Sequence, residues 1–544
     1  MKTLDRMLVA LPLIFFSLIA NGQDRKFNHQ DTLRGSITQE RAWWNLKYYH
    51  LDITVNPSDS TLKGRNTIRY QVTDPFQIMQ IDLQEPMWIS KVYQDDKQVQ
   101  FKRDGNAWFV LLLKVQERGD INEIIVHFEG RPRISRNPPW NGGLSWRRDK
   151  NNNPFIVTTC QGDGASIWWP CKDHQYDEPD SMLISVTVPE NLTDVSNGRL
   201  RGVVQNADLT KTFNWFISNP INNYGVNVNI ADYAHFFEKY QGEKGVLDCD
   251  YYVLKDNLDK AKVHFQEVPR MLKVLEYWFG PYPFYEDGYK LVEVPYPGME
   301  HQSSVTYGNG FKNGYGGRDV SKSGWGMKFD FIIIHESAHE WYGNSITSKD
   351  IADMWIHESF GAYSETLFVD YQFGKQAGSE YCIGTRKNIG NRTPIIGPYN
   401  VNTEGSGDMY SKGANMLHTL RQIVNDDEKF RGILRGISAK FYHQTVTTEQ
   451  IENFFSEATG MDLKPFFDQY LRNTKIPYFE YAVEGKTLKY RWKDCIPGFN
   501  MPLKIKINDV EKWINPLTDW QQMDVGVDAK IAIDPDFYIQ PHLL

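Results

Sequence analysis

The sequence predicts a multidomain α+β chain with an N-terminal antiparallel β domain, a mainly helical thermolysin-like domain and a small C-terminal β-sandwich-like domain. Three observations carry this. Residues 43–232 alternate apolar and polar positions between turn signals. Residues 241–475 switch to helical spacing, and residues 476–544 return to alternation. The 544 residues suit several domains, and 41% hydrophobic with 14% aromatic content supports large cores. A net charge of −8 without any Lys/Arg cluster argues against nucleic-acid partners.

Residues 1–22 have the layout of an export signal. Lys2 and Arg6 precede the apolar stretch Met7–Ala20, and Ala20-Asn21-Gly22 offers small residues for cleavage. The stretch is shorter than the roughly 20 residues that span a bilayer, so no stable membrane span is expected after cleavage. The expectation is export to a periplasmic or extracellular site. Five cysteines leave at least one unpaired; Cys160 and Cys171 fit either a local disulfide or buried thiols.

In the first domain (39–240), Tyr49, Leu51, Ile53 and Val55 alternate with polar residues. Asn56-Pro57-Ser58-Asp59 turns the chain, and Ile68, Tyr70 and Val72 resume the pattern. Thr158–Asp173 breaks it with glycines and two tryptophans, which composition alone reads as an aromatic-capped loop. In the second domain (241–475), Asn257–Phe279 is helical but must kink or split at Pro269. Tyr289–Pro295 is a short strand, and the glycine-rich segment from Gly308 to Gly326 reads as a mobile loop beside a cleft. Lys412–Val424 is helical, and Thr447 to Gln450 forms a capping box for a helix that stops at Gly460. Leu488, Tyr490 and Trp492, then Leu503, Ile505 and Ile507, alternate in the third domain (476–544).

The chemistry concentrates between His335 and Glu358. His335-Glu336-Ser337-Ala338-His339 reads H-E-x-x-H, and residues four apart share a helix face, so two imidazoles can meet one metal ion. Such a pentapeptide also arises by chance on amphipathic helices. After a turn at Gly343-Asn344, however, a second helix over Asp350–Glu365 can return Glu358 as third ligand. Two histidines, one carboxylate and an open position describe a catalytic rather than a structural site for one zinc per chain. Glu336 stands beside the ligands as a candidate general base. Glu365, on the same face as Glu358, can orient a ligand or merely face solvent. His357 points away from that face and is not counted as a ligand.

These residues, with Trp341-Tyr342-Gly343-Asn344 and Trp355-x-x-Glu358, resemble the aminopeptidase N-like family of zinc metallopeptidases. Gly298-Met299-Glu300 is similar to the family's G-x-M-E-N motif, and Tyr410-Ser411-Lys412-Gly413 to its tyrosine followed by Lys-Gly. The resemblance implies peptide substrates cut at the N-terminal end. It implies Glu300, with Gly298, Met299 and Gln161, at the substrate amine, and Tyr410 as donor to the developing oxyanion. Two departures stand out. Pro297 and His301 flank the motif where the family pattern has other residues. A chain ending at Leu544 leaves no length for a large C-terminal helical domain, so a more open cleft is expected. A thermolysin-like endopeptidase fits the zinc residues alone, and a non-catalytic peptide binder would require loss of a ligand or base.

Overall fold

A computed structural model describes residues 26–544, so residues 1–22, read above as an export signal, lie outside the described residues. The first domain is built on an eight-stranded sheet. Its central strand, Trp44–Asn56, buries Tyr49, Leu51, Ile53 and Val55 as the alternation requires. Asn56 and Asp59 cap the following turn through Ser58 and Thr61. The sheet is not purely antiparallel: Trp44–Asn56 pairs in parallel with Ser181–Pro189. The chain between them builds other sheets before returning in the same direction, which a strand-by-strand reading of alternation does not reveal. One of these is a four-stranded sheet containing Pro154–Thr159.

The hairpin Tyr233–Gly242/Gly245–Leu254 crosses residue 241 and joins the sheet of the second domain, pairing in parallel with Tyr289–Glu293. The edge strand of that sheet is Gly298–Met299, paired with Val305–Tyr307. The helical stretch after the hairpin divides into Leu258–His264 and Glu267–Phe279. The division falls before Pro269, which sits in the first turn of the second piece, where a missing N–H costs nothing. The first part of the glycine-rich loop is held by Asn309, whose amide donates to the carbonyls of Lys312 and Gly314 and to Asp330.

The third domain holds a four-stranded and a three-stranded sheet. Its core residues Phe479, Trp492 and Leu503 run into the same apolar cluster as Phe466, Phe467 and Tyr470 of the second domain. It therefore packs against the helices of the second domain. All five cysteines are free thiols; Cys160 donates to the Tyr224 carbonyl instead of bonding to Cys171. No helix among the described residues is long and apolar enough to cross a membrane.

Candidate active site

Helix α1 (Phe331–Ala338) begins at Asp330, whose carboxylate accepts the N–H groups of Ile332 and Ile333. His335 lies in its last turn and His339 at its C-cap. The chain reverses through Gly343 and enters α2 (Trp355–Phe373). This second helix starts later than the sequence suggests, because Asp350 caps a separate single turn, Ile351–Asp353, before α2 begins. Glu358 stands in the first turn of α2 and faces both imidazoles. Its Oε2 is 3.5 Å from His335 Nε2 and 3.4 Å from His339 Nε2. Ligands about 2.0–2.1 Å from a tetrahedral zinc are about 3.3 Å apart, so these edges have the required length.

Three further observations test the fit. Glu358 Oε2 is buried without a hydrogen-bond partner, a costly state unless a cation completes it. His335 Nδ1 bonds Glu365 at 2.8 Å and His339 Nδ1 bonds the Tyr342 carbonyl at 3.0 Å, which turns both Nε2 lone pairs toward the shared centre. The site also attracts positive charge. Burial would lower the His339 pKa, but Glu358 and Glu300 raise it to about 9; burial would raise that of Glu358, but the two imidazoles hold it well below the carboxylate range. The residues fit zinc.

Glu336 lies on the same wall. Burial first, then Glu300 and Glu358, push its pKa up to about 7 against the pull of the histidines. One oxygen of Glu336, one of Glu300 and a nitrogen of His339 come within 4.8 Å of one another. Gly298 makes this approach feasible: a Cβ there would lie 2.6 Å from Ile332 and 3.0 Å from Glu336 Cγ. Met299 follows it into the cleft wall. Gln161 enters from the first domain, on the loop after Pro154–Thr159 that the buried Trp168 and Trp169 anchor. Its amide donates to Glu300 at 2.6 Å and to Glu358 at 3.1 Å. The Thr158–Asp173 loop is therefore part of the site.

Tyr410, at the N-cap of α3 (Ser411–Val424), stacks its ring 5.9 Å from His335. Tyr410 is 37% exposed. Burial, then Glu358, Glu404 and Glu300, raises its phenol well above the ordinary value, so it stays protonated. His357 turns away: its Nε2 accepts the Ser348 N–H at 2.7 Å. His301 is buried and bonds Thr306, so it shapes the base of the strand rather than the cleft surface.

Sequence reasoning missed Gly361. A Cβ there would lie 2.8 Å from His339 Cε1, so the helix must present bare backbone to the imidazole. The available signal was an isolated glycine inside a helix, one turn after a candidate ligand. Trp140 and Glu404 also escaped notice, because nothing local marks them as cleft residues. They line a cleft of about 670 Å³ with the residues above. Asp163, Glu300, Glu336, Glu358 and Glu404 face this space, and no lysine or arginine among the described residues lines it.

Comparison with known proteins agrees with this architecture. Residues 45–224 match the peptidase M1 N-terminal domain and residues 264–470 the peptidase family M1 domain. Leukotriene A-4 hydrolase of Xenopus laevis is 22% identical over 439 residues, covering 76% of this chain and 68% of that protein. Probable aminopeptidase 1 of Sulfurisphaera tokodaii is 22% identical, covering 74% of this chain and 50% of its own length. Aminopeptidase N of Lactococcus lactis is 27% identical over 238 residues, 40% of this chain and 28% of that protein. The chain thus spans between about a quarter and two thirds of these relatives. The M1 zinc metallopeptidase of Deinococcus radiodurans shares the fold at a TM-score of 0.68 and 20% identity, covering 80% of this chain and 94% of its own. The two matched models follow one another along most of the described chain, with the H-E-x-x-H helix inside the second: the chain belongs to peptidase family M1.

Proposed function

We propose that this protein is a zinc aminopeptidase that removes N-terminal residues from peptides. The observation that carries the reading is Glu300, a buried carboxylate held by Gln161 at one side of the zinc tripod. In a peptide, the α-nitrogen and the first carbonyl carbon are about 2.5 Å apart. A substrate whose ammonium bonds Glu300 therefore brings only its first peptide bond to the centre. A cleft with five carboxylates and, among the described residues, no facing lysine or arginine suits a cationic chain end.

His335, His339 and Glu358 would hold the ion. Bound zinc supplies Lewis acidity, which lowers the pKa of water and polarises a carbonyl. Glu336 accepts the proton of the attacking water and passes it to the leaving nitrogen. The Tyr410 hydroxyl, kept protonated, donates to the oxygen that gains charge in the transition state. Gln161 bridges Glu300 and Glu358 and so fixes the spacing between the amine and the reacting carbonyl.

Aminoacyl arylamides and their N-acetylated forms are the direct test. Acetylation is expected to abolish turnover, and equal rates for both would exclude the amine anchor in favour of an endopeptidase. Glu336→Gln is expected to lower kcat by about 10²–10⁴-fold with zinc content unchanged. Export, proposed from the composition of residues 1–22, is tested by cell fractionation and N-terminal sequencing; a cytoplasmic protein that retains Met1 would refute it.

A further inference from the structure

Residues 28–36 lie ahead of the matched family domains, the first of which begins at residue 45, yet they touch two loops of the cleft. They form the short helix His29–Gly35, capped by the Asn28 side chain. Buried Arg41 anchors its end, donating to the carbonyls of Arg34 at 3.2 Å and Ser36 at 2.8 Å and to Asp82 at 2.7 Å. Arg34 then reaches the loop that carries Gln161. Its Nη1 donates to the Asp173 carbonyl, and its Nη2 meets the Asp173 carboxylate at 2.9 Å and the Asp163 carbonyl at 3.4 Å. One guanidinium thus ties the end of that loop to its start, a task suited to a planar fork of several donors.

Gln161 sits inside the turn that this bond backs. The turn closes where the Gly164 N–H donates to the Cys160 carbonyl at 2.6 Å. Arg34 lies so close against it that a Cβ on Gly164 would collide with Nη2. The next residue of the segment seats the second loop: a Cβ on Gly35 would overlap the peptide between Val401 and Asn402. The Asn402 amide in turn donates to the Gly162 carbonyl at 2.8 Å, which closes the circle of contacts beside Gln161. Gln161, Gly162, Asn402 and Glu404 all line the cleft, whereas Arg34 stands behind them.

We propose that Arg34 is a positioning residue for the amine anchor, acting through Gln161 on Glu300, and that the 28–36 segment is the strap that carries it. This inference rests on the reading of Glu300 as the ammonium site.

The test uses the zinc-loaded full-length protein and two inhibitors, leucine hydroxamate and its counterpart lacking the α-amine. Both can chelate zinc, but only the first uses Glu300. In the wild type the amine should tighten binding. In Arg34→Ala that preference should fall about fivefold, while Ki for the amine-free compound stays within about twofold. KM for an aminoacyl arylamide should rise by a similar factor, with kcat nearly constant. Gln161→Ala should also lose preference, and adding Arg34→Ala to it should cost nothing more, because both changes act on one contact. Arg34→Lys keeps the charge beside Asp173 without the fork; its preference should fall between those of Arg34→Ala and the wild type, and it serves if the alanine variant does not fold. An unchanged preference in both Arg34 variants, an equal loss for both inhibitors, or additive losses in the double variant would overturn the proposal. A wild type indifferent to the amine would instead refute the assignment of Glu300 itself.

Discussion

The zinc tripod and the proposed amine anchor share one cleft wall but are built in opposite ways. The tripod comes from two consecutive helices of one domain, and the supports of its imidazoles, Glu365 and the Tyr342 carbonyl, come from the same domain; from the first domain it receives the Gln161 bond to Glu358. Glu300 directly follows the edge strand Gly298–Met299, and the residues after it are stitched to the first domain. Asn197 donates to the Gln302 carbonyl at 2.7 Å, and the Gly198 N–H to Ser303 at 2.9 Å. The imidazoles of the tripod are thus held within one domain, whereas on the proposed reading the anchor that sets where a peptide is cut belongs to the contact between two.

This contrast can be broken by experiment. Chelation is expected to have the largest effect, abolishing turnover of every substrate and lowering Tm; zinc should restore both. Activity that survives exhaustive chelation would remove the tripod from the chemistry. Next is Glu300→Gln, which should lower kcat/KM for free-amine substrates by about 100-fold while Ki for an amine-free hydroxamate holds. If both constants worsened together, the anchor and the tripod would be one unit rather than two. The smallest change is expected for Glu365→Gln. Here zinc affinity, measured by competition with a chelator, should weaken about 10–100-fold, with the preference for a free amine intact. A variant with unchanged zinc affinity would show that the His335 contact is incidental.

The same division explains what could be read from the sequence. His335, Glu336, His339 and Glu358 were legible because helical periodicity converts short spacings into a shared face. The start of α2 was misplaced by the turn that Asp350 caps, since a single turn and a helix begin with the same capping residue. Glu300, Tyr410 and Gln161 were reached through resemblance, not through spacing. The bond between Tyr224 and His357 was out of reach, because it crosses the domain contact and no local pattern encodes it. The parallel pairing of Trp44–Asn56 with Ser181–Pro189 escaped for the same reason: alternation reports which face is buried, not which neighbour a strand chooses.

Gly361 sets a limit on how this protein can be made more robust. Glycine inside a helix is less stable than alanine by about 1 kcal/mol, so a search for thermostable variants would favour filling this position. The added methyl would lie 2.8 Å from the His339 ring and 3.4 Å from that of His335. Heat resistance and metal retention therefore pull this one residue in opposite directions, and a screen that scores only surviving fold would select a sturdier but emptier enzyme.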